Sequence, residues 1–170
     1  GLGLALGFRA GLFNIGGKGQ IIFGALAAVW VGFAMNLPPV IHTLVALLAA
    51  MVAGALYAGI AGVLKAKTGA NEVIVTIMLN SIATLALGYI LSKKSWQVPG
   101  SNQPQTPKVA DSAAFTRILD APFKIHVGLF VALLAVIVFW WLIERSTLGF
   151  EIRAVGANPE AARTAGISVG

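Results

Sequence analysis

The chain has 170 residues, 58% of them hydrophobic and 11% charged, with a formal net charge of +6 and no cysteine. Soluble domains carry about 25% charged residues, so this composition, with a mean hydropathy of +0.86, is that of a membrane protein. The missing cysteines exclude a disulfide framework and cysteine-based zinc or iron–sulfur sites. The Lys and Arg residues are scattered and never form a run of five or more, which argues against a nucleic-acid patch and suits basic residues flanking membrane spans.

The chain opens at Gly1 inside an apolar run, 1–13, that carries Arg9. This run is expected to be the second part of a span, and the whole chain an internal part of a longer protein. Next comes FNIGGKGQ, 13–20. A phosphate-binding P-loop needs G-x-x-x-x-G-K-[ST], but Leu12 stands in place of the leading glycine and Gly19 in place of the hydroxyl residue. The opening GLGLALG resembles a dinucleotide fingerprint, yet no strand precedes it and there is no room for a βαβ unit. The glycines instead predict a helix break, each costing about 1 kcal/mol against alanine. Asn14 and Gln20 offer amides to the freed backbone groups. Such a break either lines a polar interior or is an ordinary interfacial loop, and Lys18 fits both.

Apolar runs long enough to cross a bilayer follow at about 20–37, 40–64, 72–91 and 125–144. They are too long and continuous for barrel strands, so helices are predicted. Pro38 and Pro39 mark a tight turn between the first two. In 40–64, Ala46, Ala50, Gly54, Ala58 and Gly62 recur every four residues, a seam of small residues that lets another helix approach closely. His42 and His126 fall near span ends and are expected to be interfacial. The short basic connection KAKTGAN leads to Asn71 and Glu72, which suit a helix cap and first turn and leave a gating contact open.

In 72–91, Thr76, Asn80 and Thr84 are spaced to share one helix face, with Ser81 beside them. That stripe either lines the path of a polar solute or bonds to neighbouring helices. The long polar connection 92–124 has a candidate surface helix at 111–119, capped by Asp111 or Ser112, with Phe115, Ile118 and Leu119 on one face. The basic residues split evenly between the two sides. Lys65, Lys67, Arg145, Arg153 and Arg163 lie in shorter connections and lean that side toward the cytoplasm. Near the end, GANPEAARTAG predicts a short helix. Asn158 caps it, Pro159 takes its first position, Glu160 and Arg163 complement its dipole, and Gly166 closes it. A helix this short is marginal alone, so it docks either on a partner or on its own chain.

GLFNIGGKGQIIFGA, GANEVIVTIMLNSIA and STLGFEIRAVGANPEAARTAGI occur in that order and cover nearly the whole chain. Together they resemble the membrane-spanning permease subunits of bacterial ABC importers, in the family serving branched-chain amino acids, ribose-type sugars and nucleosides. The NEVIVTIMLN stretch is most similar to the nucleoside and simple-sugar branch. The resemblance implies an all-α polytopic transmembrane bundle, multi-pass in the inner membrane. It implies partners: separate ATP-binding subunits, an extracytoplasmic solute-binding protein and a second permease subunit, same or paralogous. It implies neither cofactor nor metal. Asn158, Pro159, Glu160, Ala161, Ala162, Arg163 and Gly166 would form the cytoplasmic coupling helix within 145–170, and 92–124 would lie outside. From their own pattern, and not from the resemblance, Asn14, Gln20, Thr76, Asn80 and Thr84 are the candidate residues of a solute path, with bonding between helices as the alternative. A secondary transporter would need acids within its spans; Glu72 and Glu144 stand only at span ends. An intramembrane enzyme would lack a nucleophile and base, since HExxH and G-x-S-x-G are absent from the sequence.

Overall fold

A computed structural model describes residues 2–98, 100, 103–115 and 126–167. Among them run seven α-helices: α1 (Leu2–Arg9), α2 (Gly17–Ala34), α3 (Pro39–Thr68), α4 (Glu72–Leu91), α5 (Gly128–Arg145), α6 (Thr147–Ala157) and α7 (Pro159–Thr164). Short 3-10 turns occupy Lys94–Trp96 and Asp111–Ala113. The all-α architecture is as the sequence predicts, because an uninterrupted apolar run in lipid must satisfy its backbone internally. Helices α2, α3, α4 and α5 are long and apolar enough to cross a membrane. Only 6% to 28% of each apolar window is buried within the chain, so these helices turn most of their apolar side chains outward.

The chain divides into two compact units, a central one, 15–115, and a flanking one formed by the described residues of 1–14 and 116–170. In the central unit α2, α3 and α4 pack together. Pro39 starts α3 at its first turn, and left-handed Gly69 (φ 67°) ends it. Asn71 starts α4, its Oδ1 accepting from the Val73 and Ile74 N–H groups at 3.0 and 3.4 Å. Lys65 Nζ donates to Glu72 Oε2 and ties the two ends together, which gives Glu72 a pairing role in the hairpin.

The small-residue seam holds only in part. A Cβ on Gly24 would lie 3.0 Å from the Ala50 carbonyl oxygen, and one on Gly54 3.3 Å from that of Gln20, so α2 and α3 touch backbone to backbone there. Ala46 is buried. Ala58 is half-buried and Gly62 exposed, with nothing within 4 Å of where a Cβ on Gly62 would lie. The cause is periodicity: four residues advance about 40° beyond a full helical turn, so the seam rotates off the contact.

His42, near the start of its span, is fully buried within the chain. One further expectation fails in this unit. The helix expected from Asp111 stops as the Asp111–Ala113 turn, followed by extended Ala114, because Ser112 is drawn to His42. Ile118 and Leu119 lie outside the described residues. In the flanking unit α1 stops at Arg9, short of residue 13, with left-handed Gly11 (φ 72°) behind it. The N–H groups of Leu12 and Gly11 donate to the Gly7 and Phe8 carbonyls at 2.8 and 3.2 Å, a Schellman ending.

Candidate functional site

The break at FNIGGKGQ is real, and its glycines serve the helix that follows. Gly17 and Gly19 lie in the first turn of α2, where N–H groups have no intrahelical acceptor. Asn80 of α4 supplies one. Its Oδ1 accepts from Gly19 N–H at 2.8 Å, and its Nδ2 donates to the Ile15 carbonyl at 3.0 Å. A single amide thus satisfies a donor and an acceptor on either side of the helix start. Gly19 must be a glycine, because a Cβ would lie 2.7 Å from the Tyr57 ring and 3.4 Å from Ala83 Cβ. Tyr57 stacks on Phe23 with centroids 4.2 Å apart, and its hydroxyl donates to the Leu79 carbonyl at 2.7 Å. Lys18 is exposed.

The other expected path residues are placed differently. Thr76 is 2% exposed, and its hydroxyl donates to the Glu72 carbonyl at 2.7 Å. It is a packed position, not an open lining residue, since a threonine in a helix can satisfy its own hydroxyl on the preceding turn. Thr84 is exposed and bonds the Asn80 carbonyl at 2.9 Å. Gln20 is half-buried with its carbonyl against Gly54. Asn14 belongs to the flanking unit, half-buried near Gly7. Of the stripe on α4, then, Asn80 alone has its side-chain bonds recorded to another element.

The far end of the α2–α3 hairpin is closed by the long connection. His42 Nε2 lies 3.0 Å from the Val31 carbonyl; a carbonyl only accepts, so Nε2 carries the proton. Nδ1 meets Ser112 Oγ at 2.8 Å. Ala110 N–H donates to the Gly32 carbonyl at 2.9 Å. A Cβ on Gly32 would lie 2.6 Å from Val109 Cγ1. No sequence periodicity marks these ties.

In the flanking unit, Ser146 caps α6, accepting from Gly149 N–H at 3.0 Å. A Cβ on Gly149 would overlap the Leu142 and Ile143 carbonyl oxygens, so α5 and α6 join by a turn that admits only glycine. Helix α6 is an element the sequence reading left undivided within 145–170; Ser146 ahead of an apolar run was its signal. Arg153 Nη1 donates to the Ile143 carbonyl at 2.6 Å and to Glu144 Oε2 at 3.1 Å. Arg9 Nη1 reaches Glu144 Oε1 at 3.7 Å.

Helix α7 is built as its sequence predicts. Asn158 Oδ1 accepts from the Glu160 and Ala161 N–H groups at 3.0 and 3.1 Å. Gly166 is left-handed (φ 84°), and the Ile167 N–H returns to the Ala162 carbonyl at 3.0 Å, a second Schellman ending. Ala162 is 4% exposed, whereas Glu160, Ala161, Arg163 and Thr164 are exposed. The helix rests on its own chain through Ala162 and presents a small, charged outer face.

The family described as the branched-chain amino acid transport system permease component matches residues 1–170. The chain belongs to this family. Among similar proteins, the guanosine ABC transporter permease protein NupP of Bacillus subtilis is 46% identical over 177 residues, covering 99% of this chain and 49% of the relative. The glucose ABC transporter permease protein TsgB13 of Haloferax volcanii is 39% identical over 99% of this chain and 46% of the relative. The nucleoside ABC transporter permease protein NupB of Lactococcus lactis is 34% identical over 98% and 48%. The chain spans about half the length of these relatives. No solved structure matches it. As a member of a permease-component family with four candidate spans, it is a multi-pass membrane protein without bond-making chemistry of its own.

Proposed function

We propose that this permease chain forms part of the translocation path of an ABC importer for a nucleoside or a simple sugar. The observation that carries the reading is α7: six residues, capped by Asn158 and closed by Gly166, with an exposed face of Glu160, Ala161, Arg163 and Thr164. A helix so short needs support. Its own chain supplies that on the Ala162 side, and the outer face is free for the groove of an ATP-binding subunit. On this reading 65–71 and 144–170 face the cytoplasm of a bacterial cell, and 92–124 faces outside, toward a solute-binding protein. A second permease subunit completes the pore. The path passes the Asn80 face of α4, with Gln20 and Thr84 nearby in sequence pattern and exposure. The solute class rests on the relatives named for guanosine, nucleosides and glucose.

The test is reconstitution of the full-length permease with its ATP-binding and solute-binding partners in proteoliposomes. ATP-dependent uptake of guanosine or glucose is expected. Uptake of leucine alone would move the protein to the amino acid branch, and uptake driven by an ion gradient without ATP would overturn the importer reading.

A further inference from the structure

Helix α1 ends on the helix that carries the coupling segment. The Arg9 carbonyl, the last of α1, sits so close to Gly156 of α6 that a Cβ there would overlap it; the same Cβ would lie 3.0 Å from the Ala10 carbonyl carbon. Gly11 approaches from its side, a Cβ on it falling 3.4 Å from the Gly156 carbonyl oxygen. The contact is backbone on backbone, and only glycine at 156 permits it. Charge reinforces it. Glu144 takes Arg9 on Oε1 at 3.7 Å and Arg153 on Oε2 at 3.1 Å, while Arg153 holds the Ile143 carbonyl at the end of α5. Gly156 is two residues before Asn158, the cap of α7.

We infer that Gly156 and the Arg9–Glu144–Arg153 bridge form the joint by which the coupling segment acts on the α1–α2 break. The inference rests on the reading of α7 as the ATPase-docking helix. Its mechanical content is simple. Helices α6 and α7 meet at Asn158, so a displacement of α7 is carried into α6, and a packed backbone contact passes it to the end of α1 without the slack of side-chain rotamers. From there the chain itself carries it: Leu12, Phe13 and Asn14 lead to Ile15, whose carbonyl Asn80 holds. The break is thus a short covalent link between two anchors, one belonging to the coupling side and one to α4. Glu144 and Gly156 are positioning residues, since neither needs to touch solute or nucleotide.

The experiment uses the full-length permease assembled with its ATP-binding subunits and solute-binding protein. It compares Gly156→Ala and Glu144→Gln with Gly3→Ala, a position in α1 with nothing within 4 Å of a Cβ. Co-purification of ATP-binding subunits, ATP hydrolysis with and without solute-loaded binding protein, and uptake are measured together. In Gly156→Ala and Glu144→Gln, the subunits should co-purify to within about twofold of the parent, while uptake and solute-stimulated hydrolysis fall about fivefold or more. Gly3→Ala should change neither. Full uptake in both test variants overturns the joint. Loss of the permease from the membrane, or loss of ATPase co-purification alongside uptake, also overturns it, assigning these residues to folding alone. Failure of the docking reading shows separately: Ala161→Trp would then keep full ATPase binding and full stimulation.

Discussion

The central unit adds to its local caps a set of polar ties between residues far apart in the chain, whereas in the flanking unit most ties are made within a turn or two. Asn80 reaches Gly19 across 61 positions and His42 reaches Ser112 across 70. Ser146 and Asn158, by contrast, each bond an N–H three positions on. The difference follows from surroundings. Apolar spans offer a polar side chain few partners except on another helix, and among the described residues no buried side-chain nitrogen or oxygen is left unpaired. The flanking unit is richer in helix ends close together, where orphan backbone groups are local and caps suffice. Its long-range tie, Arg9 to Glu144, is a partly exposed ion pair and is weak by itself; the backbone contact at Gly156 accompanies it.

That contrast can be broken most severely at Gly19. Gly19→Leu drives a side chain into the Tyr57 ring and Asn80, and overpacking costs about 1–3 kcal/mol before the lost cap is counted. The expected result is a sharp fall in membrane-inserted protein, read by quantitative immunoblotting; normal levels would mean the Tyr57–Gly19 contact is not tight. Asn80→Leu comes next. It strands the Gly19 N–H and the Ile15 carbonyl, each costing about 1–3 kcal/mol where water cannot replace the amide. Protein yield should fall with uptake. If yield holds while uptake is lost, Asn80 serves the solute path more than the helix start. Asn80→Asp, which keeps an acceptor for Gly19, should be milder in yield than Asn80→Leu.

A smaller effect is expected from Asn158→Ala, because a lost cap costs about 1 kcal/mol. On the docking reading of α7, the permease should insert normally and lose affinity for ATP-binding subunits, measured by co-purification at increasing detergent stringency. Unchanged affinity would show that α7 needs no cap once docked. Ala162→Trp should harm the fold, since Ala162 is buried against its own chain, whereas Ala161→Trp should spare the fold and disturb docking. The smallest effect belongs to Gly62→Leu, where nothing lies within 4 Å: yield should match the parent. A defect there would mean that the rotated end of the seam meets another helix.

The same division explains what could be read in advance. Local devices announce themselves. Asn71 and Asn158 each stand before a Pro or Glu and an apolar or alanine-rich run, and each caps the helix it precedes. The spans were legible because apolar length in lipid leaves the backbone no alternative to the helix. The cross-chain ties were not. Nothing in the sequence around Asn80 says that its partners are Gly19 and Ile15, and the spacing of Thr76, Asn80 and Thr84 shows a shared face without showing what that face meets. The burial of His42 depends on where 109–112 fold, which no local pattern encodes. Gly19 and Gly156 were visible as glycines, but the side chain and the carbonyl that require them lie far off in sequence.

Helix α3 is longer than its neighbours, and this has a consequence for the connection that follows α4. The Lys65–Glu72 pair sets the near ends of α3 and α4 level. Counting back at about 1.5 Å per residue, α3 from Lys65 to Pro39 rises about 39 Å, and α4 from Glu72 to Leu91 about 29 Å. The first two turns of α3 therefore extend about 10 Å past the end of α4 as a post braced by α2. Val109, Ala110 and Ser112 are moored against this post and the adjoining end of α2. A loop so moored is a raised parapet at this end of the central unit, a shaped wall where a bare helix end would otherwise stand.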